Sequence, residues 1–263
     1  MEAPTEGERA DSSVTRRPMR LAAGGVAPVA VLGASLLVLP GQSAYPPWFL
    51  HMPNVDGVMF AVGYAPPHVT FEDAALAASQ DARRQLGLVL RSEVRVEVLL
   101  ETKPGGQVFF RGETFSEDGV PDSAVSVVYL DTAQVGDMTL VLAASAPVAT
   151  PTVASLAALS DQAPAWTTSL PSRKTGLYAV GVAPKYSYEH NCWLEAERHA
   201  RRQLAFSVVT RQRQFSRAVE GCGSDVTASA TSVILRGALV EARWRNERVC
   251  FVLTSVASAS ILE

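Results

Sequence analysis

The chain repeats itself, and the repeat limits what it can fold into more than any other feature. The pentapeptide Ala82-Arg83-Arg84-Gln85-Leu86 returns as Ala200-Arg201-Arg202-Gln203-Leu204, 118 positions on. At the same spacing Trp48 matches Trp166, Pro53 matches Pro171, Ala61–Gly63 match Ala179–Gly181, and Ala78 matches Ala196. No gap is needed between Trp48 and Leu86. A fixed period without insertion marks the duplication of one structural unit. It divides the 263 residues into an N-terminal extension and leader (1–44), a first repeat domain (45–144), an Ala/Pro/Thr-rich linker (145–163) and a second repeat domain (164–263).

Within each copy the patterning predicts a strand, a helix and three further strands. Met59–Val62 and Leu177–Val180 are short apolar runs bounded by Gly and Pro, the punctuation of strands. Gly63 and Gly181 then allow either a positive φ or a close backbone approach. Thr70 with Asp73 opens a helix as a capping box does. Ala74, Ala78, Ala82 and Leu86 follow at four-residue spacing, and Cys192, Ala196, Ala200 and Leu204 repeat them. Such a stripe of small side chains lets a helix lie close on a sheet, with both arginines of the pentapeptide pointing aside or outward. Val94, Val96, Val98 and Leu100 alternate with Arg95, Glu97 and Leu99, the period of a half-buried strand. The more polar "RQRQFSRAV" of the second copy is read as its counterpart. "AVSVVYLD" with "MTLVLAAS" and "LRGALVEARW" with "RVCFVLTSV" close the copies as hairpins, the second turning near Asn246-Glu247. The fold class is therefore α+β: two repeated domains, each one helix packed on a small antiparallel sheet in the order β-α-β-β-β. Each would bury a modest core and dock on the other. In the linker, Leu156–Leu159 is read as a single helical turn.

The first segment reads as an export signal. Arg16, Arg17 and Arg20 precede an apolar run from Leu21 to Leu39 that ends in "PGQSA", the charge and hydropathy profile of a secretory leader. The expectation is a periplasmic protein. The alternative is an inner-membrane anchor through an uncleaved segment, since such a run can just span a bilayer. Met19 is a second candidate start, and "TRRPMRL" faintly resembles a twin-arginine signal. No cysteine follows the run to carry a lipid.

Chemistry is sparse. The net charge of −3, without a basic stripe, makes nucleic acid an unexpected partner. Cys192, Cys222 and Cys250 form no CxxC pair, so no metal is expected. Cys192 on the helix stripe and Cys250 on the last strand are within reach of a helix-to-sheet disulfide, and the pairing among the three stays open. His190 and His199 lie nine residues apart on the second helix and share no ligand face. No GxSxG, HExxH, GxGxxG or paired-carboxylate motif occurs, and no cofactor or catalytic residue is assigned. Arg83, Arg84, Arg201 and Arg202 form the candidate interaction surface, either as a solvated helix face or as forks for carboxylates of a neighbour. Trp48 and Trp166 join them, each as a lid on its own copy or as a docking residue.

The succession of Trp, Pro, "AVG" with Ala-Pro, Ala-striped helix, "ARRQL", long strand and hairpin resembles the Lpp-twenty-type bacterial envelope lipoprotein family, which includes the flagellar outer-membrane protein FlgP and the N-terminal domain of FlgT. The resemblance covers both copies. It implies a helix-on-sheet domain without enzymatic activity, serving an envelope or flagellar assembly, with other envelope or flagellar proteins and peptidoglycan as partners. This chain departs from it in lacking the lipid-bearing cysteine and in being a tandem, which can mimic a homo-oligomer of single domains. The leading expectation is an exported structural or assembly component. The second is a periplasmic binding protein holding a small ligand or glycan between the repeats. An enzyme using His190 or His199 comes last.

Overall fold

The computed structural model describes residues 44–102, 108–148, 156–172, 176–220, 229–257 and 261–262. The leader, Cys222 and the middle of the linker lie outside them.

The protein is α+β, and the duplication is visible in its sheets. In the first copy β2 (Phe60–Ala65) lies at one edge of a three-stranded antiparallel sheet with β5 (Val128–Val135) and β6 (Met138–Ala144), in the order β2-β6-β5. In the second, β8 (Gly176–Pro184), β10 (Leu239–Arg245) and β11 (Val249–Ala257) give the same arrangement, β8-β11-β10. A helix covers each sheet: α2 (Phe71–Leu90) and α3 (Glu189–Glu220). Thr70 caps α2 as expected, its hydroxyl accepting from the Asp73 amide at 3.1 Å.

The stripe residues Ala78, Ala82 and Leu86, their counterparts Ala196, Ala200 and Leu204, and Cys192, the counterpart of Ala74, are fully buried. Gly63 and Gly181 take the second of their two options. Both lie inside their strands, and among the described residues the positive-φ glycines are Gly57, Gly136 and Gly237. A Cβ on Gly63 would lie 2.0 Å from the Ala78 carbonyl oxygen, and one on Gly181 1.8 Å from that of Ala196. The glycine and the alanine stripe are thus two halves of one packing device.

Four segments depart from the sequence expectation. "RQRQFSRAV" is the continuation of α3, which runs to Glu220. The 118-residue spacing maps β3 (Ser92–Thr102) onto helical residues. The first copy alternates valines there, whereas the second has Arg, Gln and Ala, which favour helix over strand. The first copy also has a further strand, β4 (Val108–Gly119), paired with β3 along its length. In the second copy a strand β9 (Ser229–Leu235) precedes β10. The linker's Ala157-Ala158 form no helical turn but a short strand, β7, antiparallel to β1 (Ala44–Tyr45).

The two copies belong to one compact unit. β9 pairs antiparallel with β3, from Ser92 opposite Leu235 to Val98 opposite Ser229, and with β12 (Ile261–Leu262) builds a joint sheet β12-β9-β3-β4. The short helix α1 (Pro47–Leu50) is followed by a bridge from His51 to Ala242 on β10. The largest apolar cluster consequently draws on both copies: Trp48, Phe49, Phe60, Val62, Tyr64, Leu140 and Leu142 from the first, and Cys192, Trp193, Ala196, Val240, Cys250 and Val252 from the second. The expectation of one separate core per copy gives way to a shared one, because Phe49 and Trp193 stack edge to face with centroids 5.3 Å apart. Burial of each such ring contributes up to about 3 kcal/mol.

Candidate functional site

The polar centre of the molecule lies on the boundary between the copies. Beside its alanine stripe, α3 carries a second row at four-residue spacing, Trp193, Glu197, Arg201 and Ala205, and all four are buried. Glu197 accepts from the Tyr64 hydroxyl of β2 at 2.5 Å and from Arg243 of β10 at 2.6 and 3.1 Å. Arg243 also donates to the Phe49 carbonyl at 2.9 Å and lies over the Phe49 ring, 4.7 Å from its centroid. One turn on, Arg201 grips Glu117 of β4 with two hydrogen bonds, at 2.5 and 3.1 Å, and Ser92 at the start of β3 donates to the same carboxylate at 2.8 Å. Two guanidiniums thus meet two carboxylates. Arg201 and Glu197, 3.9 Å apart, link the halves of the network.

Burial sets the proton affinities here. It drives the Tyr64 hydroxyl well above its ordinary value, with Arg243 opposing and Glu197 adding to the rise. Burial opposes the charge on Arg201, but Glu117 and Glu197 outweigh it and hold the guanidinium above its ordinary value. Arg243 is held up in the same way by Tyr64 and Glu197. Such a group costs several kcal/mol to desolvate and is tolerated because every charge has a partner.

A second polar cluster ties the start of the first copy to α3 and β10. The Tyr45 hydroxyl donates to Glu189 and accepts from Arg245 Nε at 2.8 Å, while Trp193 Nε1 donates to Glu189 at 3.0 Å. Burial, then the Glu189 charge, raises the Tyr45 hydroxyl far above its ordinary value. Close by, Cys192 and Cys250 are joined in a disulfide between α3 and β11, with Cα atoms 5.9 Å apart.

The residues singled out from the sequence are not brought together. Arg84 is exposed and pairs with Asp81 on its own helix; Arg83 is half-buried. Arg201, expected to point aside or outward, is only 4% exposed, because the first copy supplies Glu117 opposite it. Arg202 lies over Phe115 and Phe206, 5.9 and 5.7 Å from the two centroids. Trp48 is buried in the shared cluster, its Nε1 donating to Asp131 at 2.8 Å. Trp166 packs instead in a separate cluster with Tyr178, Ala242 and Leu253, as a lid on its own copy.

The histidines serve backbone and surface contacts. His199 Nδ1 donates to the Val182 carbonyl at 2.9 Å. Its repeat partner Asp81 accepts from the amide of Tyr64, the repeat partner of Val182, at 2.9 Å. Each copy thus satisfies one backbone group on the outer edge of its first strand with a helix side chain, by opposite chemistry. His190 packs near Tyr188, and partial burial lowers its pKa from 6.5. Among the described residues no group of three His, Cys, Asp or Glu side chains is placed to hold a metal ion.

Two clefts open along the boundary. One, of about 650 Å³, lies between the C-terminal half of α2, the segment Glu117–Asp122, and residues 186–201 at the start of α3. The other, of about 400 Å³, is bounded by Met52–Phe60 of the first copy and by β8, β10 and β11 of the second. Glu197 and Arg243, the centre of the network, were missed from sequence because charged residues in a helix and a strand read as solvated. The four-residue spacing from Trp193 through Glu197 and Arg201 to Ala205 was the available signal. No family model, curated protein or solved structure matches the chain.

Proposed function

We propose that this protein is an exported, non-catalytic component of a bacterial cell envelope that acts through its own surfaces in an assembly, in the manner implied by its resemblance to the Lpp-twenty-type family. The observation that carries this reading is the joint sheet. One chain already joins two copies of its repeat by pairing β3 with β9, and among the described residues β4 stands at the end of that sheet, paired with β3. Sheets are extended between proteins by adding a strand to such an edge. Export is supported by the arginines and apolar run of residues 16–39 and by the Cys192–Cys250 disulfide, a bond that persists in oxidising compartments. Among the described residues no helix is long and apolar enough to cross a membrane. The partners of this reading are other envelope or flagellar proteins, with peptidoglycan as a further surface.

The test is the native mass of the protein released from its own envelope in mild detergent, with co-purifying chains identified. A large assembly with recurrent envelope partners is the expected result. A lone chain at or below 28.0 kDa overturns the reading.

A further inference from the structure

We infer that the smaller cleft, between Met52–Phe60 and the sheet of the second copy, is a binding site for a monocationic amine with an apolar body. The first observation is a difference between the repeats. Val141 stands opposite Gly63 and Val252 opposite Gly181, which aligns β6 with β11. One residue on, Leu142 and Leu253 each face a bulge. In β5 the register passes from Tyr129 opposite Ala143 to Asp131 opposite Leu142, so Leu130 is the extra residue. In β10 it passes from Val240 opposite Thr254 to Ala242 opposite Leu253, so Glu241 is the extra residue. The bulge is common to both copies and is filled differently. Leu130 packs against the shared apolar cluster. Glu241 is half-buried and lines the cleft. A bulge aims its side chain out of the regular alternation of the strand. The first copy uses it for packing, and the second sets a carboxylate in the wall of a cavity.

The second observation is that this carboxylate lacks a cation. Among the described residues lining the cleft, Glu241 alone carries a charge. Ser255 donates to its Oε1 at 2.6 Å and so orients the group, and among the described residues no arginine, lysine or histidine pairs with it. The other carboxylates of the boundary differ: Glu117, Glu189 and Glu197 each meet an arginine. A carboxylate with one hydroxyl on it has acceptor capacity left, and an ammonium brings three donors together with the opposite charge. The remaining walls are mostly apolar, with Met52, Val58 and Met59 from the first copy and Leu239 and Val256 from the second. Methionine side chains adapt to what they pack against, so these walls suit an apolar body of more than one outline. The Met52 amide donates to the Glu241 carbonyl at 3.2 Å, which fastens the wall of the first copy to the bulge of the second. An apolar lining with one placed charge, around about 400 Å³, is the make-up of a small-molecule site. An anion or a zwitterion would bring a carboxylate to walls that offer it no cation.

The test is calorimetric titration of the intact protein with phenethylamine and hexylamine, and with phenethyl alcohol as the neutral counterpart of the first. Both amines are expected to bind with dissociation constants below about 1 mM, and the alcohol at least about tenfold more weakly. Glu241→Gln keeps an oxygen for Ser255 and removes the charge. Ala257→Trp, at the exposed end of β11, fills the cleft. Each variant, melting cooperatively, is expected to weaken both amines at least about tenfold. Absence of binding by both amines, equal binding of the alcohol, or undiminished binding by Glu241→Gln overturns the inference. Binding lost in Ala257→Trp but kept in Glu241→Gln identifies a purely apolar pocket and overturns the assignment of an amine. These outcomes are independent of the native mass, so this site and the assembly role stand or fall separately.

Discussion

Gly181 lies against Ala200 so closely that a Cβ on the glycine would stand 2.4 Å from the alanine's amide nitrogen, and Gly63 and Ala82 repeat the relationship at 2.2 Å. The alanine that opens each "ARRQL" is therefore opposite a glycine, and the pentapeptide recurs because helix and strand touch backbone to backbone there. Gly63→Ala and Gly181→Ala should each push the helix off its sheet. The expected loss is about 3 kcal/mol or more, measured by urea unfolding. A loss below about 1 kcal/mol would refute the contact.

Arg83 and Arg201 occupy equivalent positions and should differ sharply. Arg83→Ala trims a half-buried side chain and is expected to cost less than about 1 kcal/mol. Arg201→Ala removes the guanidinium from the buried Glu117 carboxylate, leaving it the Ser92 hydroxyl, and should cost about 3–5 kcal/mol. Equal effects on the denaturation midpoint would argue against the network.

Removing Glu197 strands a buried guanidinium. Glu197→Ala should cost about 3–5 kcal/mol, whereas replacing Glu197 and Arg243 together by methionine should cost far less than the sum of the single changes. A double-mutant cycle gives the coupling directly, and additivity would show that the pair does not interact.

High pH should weaken the fold. Tyr45 and Tyr64 are held protonated above their ordinary value of 10.0, chiefly by burial, so the native state keeps protons that the unfolded chain releases. Stability is fully present below pH 10 and falls as pH rises beyond it. Tyr64→Phe should flatten that fall, as read from unfolding midpoints between about pH 9 and about pH 11. An unchanged slope would contradict the buried phenol.

The bond between Cys192 and Cys250, 58 residues apart in sequence, closes a long loop. Reduction, or replacement of both cysteines by alanine, should lower stability by about 2–4 kcal/mol. Free-thiol assay of the oxidised, unfolded protein should find Cys222 as the single reactive thiol. Two or more would exclude the pairing.

The elements that depend on local patterning were legible. The alanine stripes, the Thr70 cap, the alternating valines of β3 and the second closing hairpin follow from spacing alone; in the first hairpin the strand lies later than "AVSVVYLD" suggests, at Val128–Val135. What failed depended on the other copy. The repeat spacing aligns "RQRQFSRAV" with the strand β3, although its own residues favour helix, and α3 continues through it. Arg201 looked solvated because Glu117, its partner, lies 84 positions away in sequence.

The network between the copies is neutral only when unlike halves meet. The first half brings Tyr64 and Glu117; the second brings Glu197, Arg201 and Arg243. Two first halves meeting through these faces would bury carboxylates without cations, and two second halves would bury four guanidiniums against two carboxylates. Mispairing of that kind is rejected by its charge. Chains that exchanged halves could then join only head to tail, closing into rings or growing as open filaments. The tether that keeps both halves in one polypeptide makes closure onto itself the nearest of these outcomes, at any abundance of the protein.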